Sequence, residues 1–342
     1  MRLRKQLLML PLMTISCLRR SPIVSLPLAA SAAILLFLIL RVHGQIYVES
    51  GSSPNATIAE YDGYSGAPIN TSLITGLNLG NIFKFDNILY VTQGNLHTLG
   101  EYDATTGAAI NASFITGLRG QPDTVIRSGN ILYTAGNTGL TGTLGLYDAI
   151  TGAQIASQPV TEIESLAILG NTLYVGCGAV IGQESIVTFD ATTGGLINNH
   201  FIANLWEPTS IVAIGNTLYV ADSNNKIETY NATTGAAINT SFVTGVSSES
   251  ALALSSGNQL LYATDYYDNT VREYDPVSGA TINSNVIPGL SGPIYIAAGI
   301  PEPSSVAFVG LGIIAIFGCG RQLRKTLRGS FVNTQTESTF ES

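Results

Sequence analysis

Four carboxylates carry most of the chemistry this chain could perform: Asp123, Glu164, Glu207 and Glu249. Each stands just ahead of a short apolar run (Val125-Ile126, Leu166-Ala167-Ile168, Ile211–Ile214 and Leu252-Ala253-Leu254), in successive copies of one repeated text. Carboxylates brought together from separate segments could take a hard cation such as Ca²⁺, whose shell is built from several oxygens. The alignment is imperfect, because Asp123 and Glu164 share a repeat position while Thr209 occupies the place where Glu207 would be expected. Asp222 and Asp265-Tyr266-Tyr267-Asp268 follow other strand-like runs and are weaker candidates for the same surface. His97, His200 and Cys177 are too few for a His/Cys zinc site. Cys177, in Val175-Gly176-Cys177-Gly178, has no nearby histidine and reads as a buried or strand-end thiol rather than a nucleophile. No catalytic triad or cofactor motif stands beside these residues.

These side chains hang on a repeat. A turn phrase occurs at Tyr61–Gly66, Tyr102–Gly107, Tyr147–Gly152, Phe189–Gly194, Tyr230–Gly235 and Tyr274–Gly279, at offsets of 41, 45, 42, 41 and 44 residues. Self-similarity at this period marks stacked or radial units of one supersecondary structure. Within the copy at 208–244, Pro208–Ile214, Thr217–Ala221, Lys226–Tyr230 and Ala237–Val243 read as four short antiparallel strands. The turn phrase joins the third to the fourth. Its Asp or Asn accepts backbone N–H bonds and its glycine supplies a positive φ, so the recurring glycine is a backbone requirement and not a phosphate loop. First strands apolar on both faces, followed by more polar ones, are what a blade buried at one edge requires. Six such units imply an all-β, six-bladed β-propeller over residues 45–299.

The ends of the array predict how the ring closes. Gln45-Ile46-Tyr47-Val48 matches a second strand, so the first unit lacks its first strand, and Pro293–Ala298 matches a first strand with nothing after it. Pairing the two completes a sheet from both ends.

Charge and hydropathy separate this body from its flanks. Only 11% of residues are charged and 36 are glycine, the composition of a turn-dense β protein. Between residues 45 and 300 stand 5 basic and 20 acidic residues, a balance of 5 − 20 = −15, which disfavours nucleic acid as a partner. Residues 1–44 combine Arg2, Arg4, Lys5, Arg19 and Arg20 with an apolar run at Ala29–Leu40, as a secretory signal cleaved before Gln45 would. Five Asn-x-Ser/Thr sequons, at Asn55, Asn70, Asn111, Asn231 and Asn239, read as polar turn and strand residues.

Residues 300–328 hold Pro301-Glu302-Pro303, an apolar run Val306–Gly320 and the cluster Arg321, Arg324, Lys325 and Arg328, and residues 329–342 form a polar tail expected to be disordered. This order of features resembles the PEP-CTERM sorting signal of Gram-negative bacteria, a tail also labelled an ice-binding-protein C-terminal domain. The resemblance implies a C-terminal transmembrane sorting helix, transient anchoring in the inner membrane and an exosortase as processing partner. The destination it implies is the cell surface, outer membrane or extracellular matrix. The body, through Leu218–Asp222 and Asp103–Gly107, resembles NHL, YVTN and PQQ-type propeller repeats, although Trp206 is the only tryptophan and PQQ is not implied. In propellers of this kind ligands sit where loops lead into the first strands, which singles out Asp123, Glu164, Glu207 and Glu249. The expected function is therefore a non-catalytic, surface-sorted binding or matrix protein with a polysaccharide or protein ligand. The rival expectation is a metal-dependent lactonase or lyase that uses the same acids.

Overall fold

The computed structural model describes residues 44–78, 80–178, 184–248, 250–255 and 260–298. The expected signal, the sorting motif Pro301, Glu302 and Pro303 with its apolar helix, and Glu249 all lie outside the described residues. No helix among the described residues is long and apolar enough to cross a membrane.

Six four-stranded sheets form the body. The chain enters at β1 (Gln45–Ser50), β2 (Ala56–Asp62) and β3 (Pro68–Leu77). Blade 1 follows with β4 (Ile82–Phe85), β5 (Ile88–Gln93), β6 (Thr98–Asp103) and β7 (Ala109–Thr116). Blade 2 holds β8 (Gln121–Ser128), β9 (Ile131–Thr138), β10 (Thr141–Asp148) and β11 (Gln154–Thr161), and blade 3 holds β12 (Ile163–Leu169), β13 (Thr172–Cys177), β14 (Ser185–Asp190) and β15 (Leu196–Ala203). Blade 4 is β16 (Ser210–Ile214), β17 (Thr217–Asp222), β18 (Lys226–Asn231) and β19 (Ala237–Thr244). Blade 5 is β20 (Leu252–Leu254), β21 (Leu261–Asp265), β22 (Thr270–Tyr274) and β23 (Thr281–Ile287), after which β24 (Tyr295–Ala298) ends the ring.

The closure expected from the sequence is present. β24 pairs antiparallel with β1, with Tyr47 opposite Ala297 and Glu49 opposite Tyr295, so the sixth sheet has the order β24-β1-β2-β3. The first strands β4, β8, β12, β16, β20 and β24 touch one another in an unbroken circle. Closure satisfies the backbone of β1 along an edge that would otherwise stay unpaired.

Each turn phrase works as expected and also does more. Asp103 Oδ1 accepts the N–H groups of Thr105 (3.0 Å) and Thr106 (2.8 Å) and the Thr106 hydroxyl (2.9 Å), and Asn87 Nδ2 donates to Oδ2 (2.7 Å). These bonds hold the Asp103 carboxyl below its ordinary range. Gly107 closes the turn at φ +69°, where a Cβ would also lie 1.9 Å from the carbonyl oxygen of Leu73 in the neighbouring blade. The same glycine therefore serves both the turn and the joint. The tyrosine of the second strand completes that joint from the other side. Tyr133, Tyr174, Tyr219 and Tyr262 donate their hydroxyls to the turn carbonyls of Ala191 (2.5 Å), Ala232 (2.7 Å), Pro276 (2.5 Å) and Gly63 (2.6 Å) in the next blade. Where blade 1 meets blade 2, Arg127 donates instead to the Tyr90 hydroxyl and stacks 4.3 Å over Phe85.

One expectation is corrected. The first strands are not buried on both faces: in β16 only Ile211 is buried and the rest is half-exposed, because one face lines a central cavity. The second strands are the most buried, as in the run Leu218–Asp222, and the third strands are nearly as enclosed. Polarity is concentrated in the fourth strands, whose faces are largely open.

Two outcomes test this account. Tyr219→Phe deprives the Pro276 carbonyl of its partner and should cost about 1–3 kcal/mol in urea denaturation. Removing residues 289–300 should unpair β1 and lower both melting temperature and protease resistance, and a deletion variant as resistant as the parent would refute closure by β24.

Candidate binding mouth

The six first strands enclose a cavity of about 760 Å³ that opens where the chain enters each blade. Apolar and polar residues line it in about equal measure (Phe83, Ile126, Ile168 and Val212 beside Thr124, Arg127 and Ser210), and Asp123, Glu164 and Glu207 stand at the entrance with Thr209, Ser223 and Ser250. Three of the four acids expected from the sequence therefore come together, Asp123 and Glu164 from the starts of β8 and β12 and Glu207 from the loop ahead of β16. Glu249 is outside the described residues, although its neighbours Ser248 and Ser250 line the same opening.

Local backbone irregularities aim these side chains. The register of β8 against β9 shifts between Pro122 and Thr124, and that of β12 against β13 shifts between Ile163 and Ser165. Asp123 and Glu164 are the residues at these two bulges, features that redirect a side chain out of the ordinary alternation. Asn137 ties the two blades together: Nδ2 donates to Ile163 O (2.8 Å) and Asp123 Oδ2 (3.3 Å), and Oδ1 accepts from Ile163 N (2.9 Å). Glu207 reaches the entrance by another route. Its backbone is left-handed (φ 41°), and the Ser223 hydroxyl donates to Oε2 at 2.6 Å.

Burial pushes the Asp123 carboxyl up to about 6, with the Glu162 charge adding and the Asn137 bond opposing. Burial also pushes Glu164 up to about 7, reinforced by the charges of Glu162, Glu207 and Asp123. The mouth is thus a set of like charges that resist simultaneous ionisation. Among the described residues both ion pairs belong to Arg272, so none involves these acids.

Sequence reasoning missed Glu162, which acts electrostatically on both Asp123 and Glu164. Its place two residues before Glu164 in the sequence was the available signal. Asn137 and Ser223 were missed as well, and their parts in the mouth depend on contacts between blades and between loops. The weaker candidates lie elsewhere. Asp222 is buried, caps its own hairpin through Asn224 N (3.1 Å) and Lys226 N (3.3 Å), and is pushed up to about 6 chiefly by burial. Asp265 and Asp268 both pair with Arg272, the former at 2.7 Å. Cys177 is a buried strand-end thiol whose pKa burial pushes up to about 11, away from a reactive thiolate. His97 bonds the Gly120 carbonyl, and His200 is exposed on β15. No group of three or more His, Cys, Asp or Glu among the described residues is arranged to hold a metal ion.

No family model and no curated protein sequence matches the chain. Among solved structures it is similar to the crystal structure of a nidogen/laminin complex, with 13% identity, 75% of this chain and 97% of that chain covered, and a TM-score of 0.59. At that identity the likeness concerns the fold. Apo AztD from Citrobacter koseri (9% identity, 75% and 98% covered) and the computationally designed Ika8 protein (15%, 75% and 91%) are looser matches, each with a TM-score of 0.46. The body is a six-bladed β-propeller.

The displaced acids predict a pH dependence. Glu164 has a folded pKa above its unfolded value, so its contribution to stability is fully present below about 4.5 and is lost as pH rises to about 7. Glu164→Gln should therefore gain thermal stability over the parent across that window and hold a constant advantage above it. Melting curves at a series of pH values that ran parallel for the two proteins would show the side chain to be solvated like any surface glutamate.

Proposed function

We propose that this protein is an exported, surface-displayed, non-catalytic propeller that binds a component of the extracellular matrix, an exopolysaccharide in the first instance, at its acid-rimmed mouth. The observation that carries this reading is the entrance itself, where Asp123, Glu164 and Glu207 from three blades meet hydroxyl side chains at the opening of a cavity of about 760 Å³. That volume is within the range of small-ligand sites, and convergent polar groups at the rim of a cavity are the usual means of orienting a bound molecule. The signal-like residues 1–44 and the Pro301-Glu302-Pro303 tail support export and processing by an exosortase-type enzyme. The arrangement of His97, His200 and Cys177 supports binding over nucleophilic chemistry.

Binding of the full-length protein to a panel of matrix polysaccharides tests the reading. Retention should be selective and should fall at least tenfold in the double variant Asp123→Asn/Glu164→Gln, while Lys226→Ala should leave it unchanged. Equal retention of the parent and the double variant would remove the mouth as the binding site.

A further inference from the structure

The sheet that closes the ring carries a residue the repeat does not call for. Two positions after the second-strand tyrosine, blades 1 to 5 hold Thr92, Ala135, Gly176, Ala221 and Thr264, all of them small. The sixth sheet holds Glu49 there, on β1 and directly opposite Tyr295 of β24. This glutamate is 0% exposed. Its Oε1 accepts the N–H of Gly80 at 3.3 Å, across the joint with blade 1, while Oε2 has no hydrogen-bond partner among the described residues. Gly80 is seated so closely on Thr92 that a Cβ would lie 1.9 Å from the Thr92 carbonyl oxygen. The donor that reaches Glu49 is thus part of the packed edge of blade 1.

The surroundings of Glu49 are those of a core. Alternation and register place Tyr47, Glu49, Ile58, Glu60, Tyr295 and Ala297 on one face of the sixth sheet, and that face packs against Ile82, Leu89 and Val91 of blade 1. The titratable groups at this joint are Tyr47 on β1, Glu60 on β2, Tyr295 on β24, Lys84 on β4, and Tyr102 and Asp103 on β6, while β3 and β5 present apolar side chains. Lys84 donates to the Asp86 carbonyl at 2.6 Å, and its charge acts on Glu60. An ionised carboxylate at Glu49 would therefore stand in an apolar wall with a single long N–H bond, the arrangement that penalises a buried charge most. Burial accordingly pushes the carboxyl up to about 8, with the Gly80 bond opposing.

We infer that Glu49 is a proton-operated latch on ring closure: protonated, it lets the sixth sheet seat against blade 1, and on losing its proton it loosens β1, β24 and β4 ahead of the rest of the propeller. The consequence reaches the cavity, because Asn81, Phe83 and β24 are part of its wall. This latch stands apart from the binding reading and does not depend on it.

The sign follows from linkage. A carboxyl raised from 4.5 to about 8 contributes stability that is fully present below about 4.5 and is lost as pH rises to about 8. Hydrogen exchange of the full-length protein in mild detergent, followed peptide by peptide and corrected for the intrinsic pH dependence of exchange, tests it. The opening constant of amides in β1, β24 and β4 should rise about tenfold per pH unit between about pH 5 and 8 and level off above, while amides of β17 and β18 in blade 4 should change less. In Glu49→Gln, which keeps the shape and cannot ionise, the opening constant at the seam should be flat over that window. Glu49→Thr, which installs the residue of blades 1 and 5, should be equally flat and guards against a glutamine that folds poorly. The same pH course in the parent and both variants, or a parent change of equal size in every blade, would overturn the inference.

Discussion

The joint between successive blades is the interaction on which the rest of the structure depends. A propeller has no continuous hydrogen-bonded framework from blade to blade, so its sheets are held by side-chain packing and by whatever polar bonds cross between them. Here a tyrosine from the second strand of one blade donates to a carbonyl in the turn of the next, in four of the six joints. Each such bond contributes about 1 kcal/mol net, and more would be lost if the buried carbonyl were orphaned. The turn can present that carbonyl because an Asp or Asn side chain satisfies its N–H groups and a glycine lets it press against the neighbouring outer strand. At the joint between blades 4 and 5, Tyr219, Phe242, Pro276 and Gly279 show the whole device: the rings of Tyr219 and Phe242 meet edge to face at 5.5 Å, and a Cβ on Gly279 would fall 2.3 Å from the Phe242 carbonyl oxygen.

Packing of consecutive blades also creates the electrostatics of the mouth. Asp123, Glu164 and Glu207 are separated by about forty residues each along the chain and stand in blades 2, 3 and 4, each of which touches the next. Burial there, reinforced by neighbouring carboxylates, raises Asp123 and Glu164 out of the ordinary carboxylate range.

Burial follows the radius of the ring rather than the order of strands. The innermost strands are apolar yet half-exposed because they wall a cavity, while the second strands, packed between adjacent sheets, contain the largest fully buried side chains, Tyr47, Tyr90, Tyr133 and Tyr262 among them. An apolar pattern on both faces of a strand does not distinguish contact with protein from contact with a cavity. That is why the sequence misplaces the centre of burial by one strand while placing the strands themselves within a residue or two, as in Thr217–Asp222 and Lys226–Asn231.

From its residues alone the chain determined the number of blades, the positive-φ glycines and the shared sheet of Gln45–Val48 and Pro293–Ala298, because these follow from period, turn chemistry and pattern, all of them local or repeated properties. It also marked Asp123, Glu164 and Glu207 for one opening, the first two at one repeat position. Only the tertiary structure decided how Glu207, out of register with them, reaches that opening, through a left-handed backbone and a Ser223 bond, and that the charge of Glu162 acts on Asp123 and Glu164. The reason is that proximity around a ring is set by closure and by bulges of single residues, and neither leaves a periodic trace in the text of the chain.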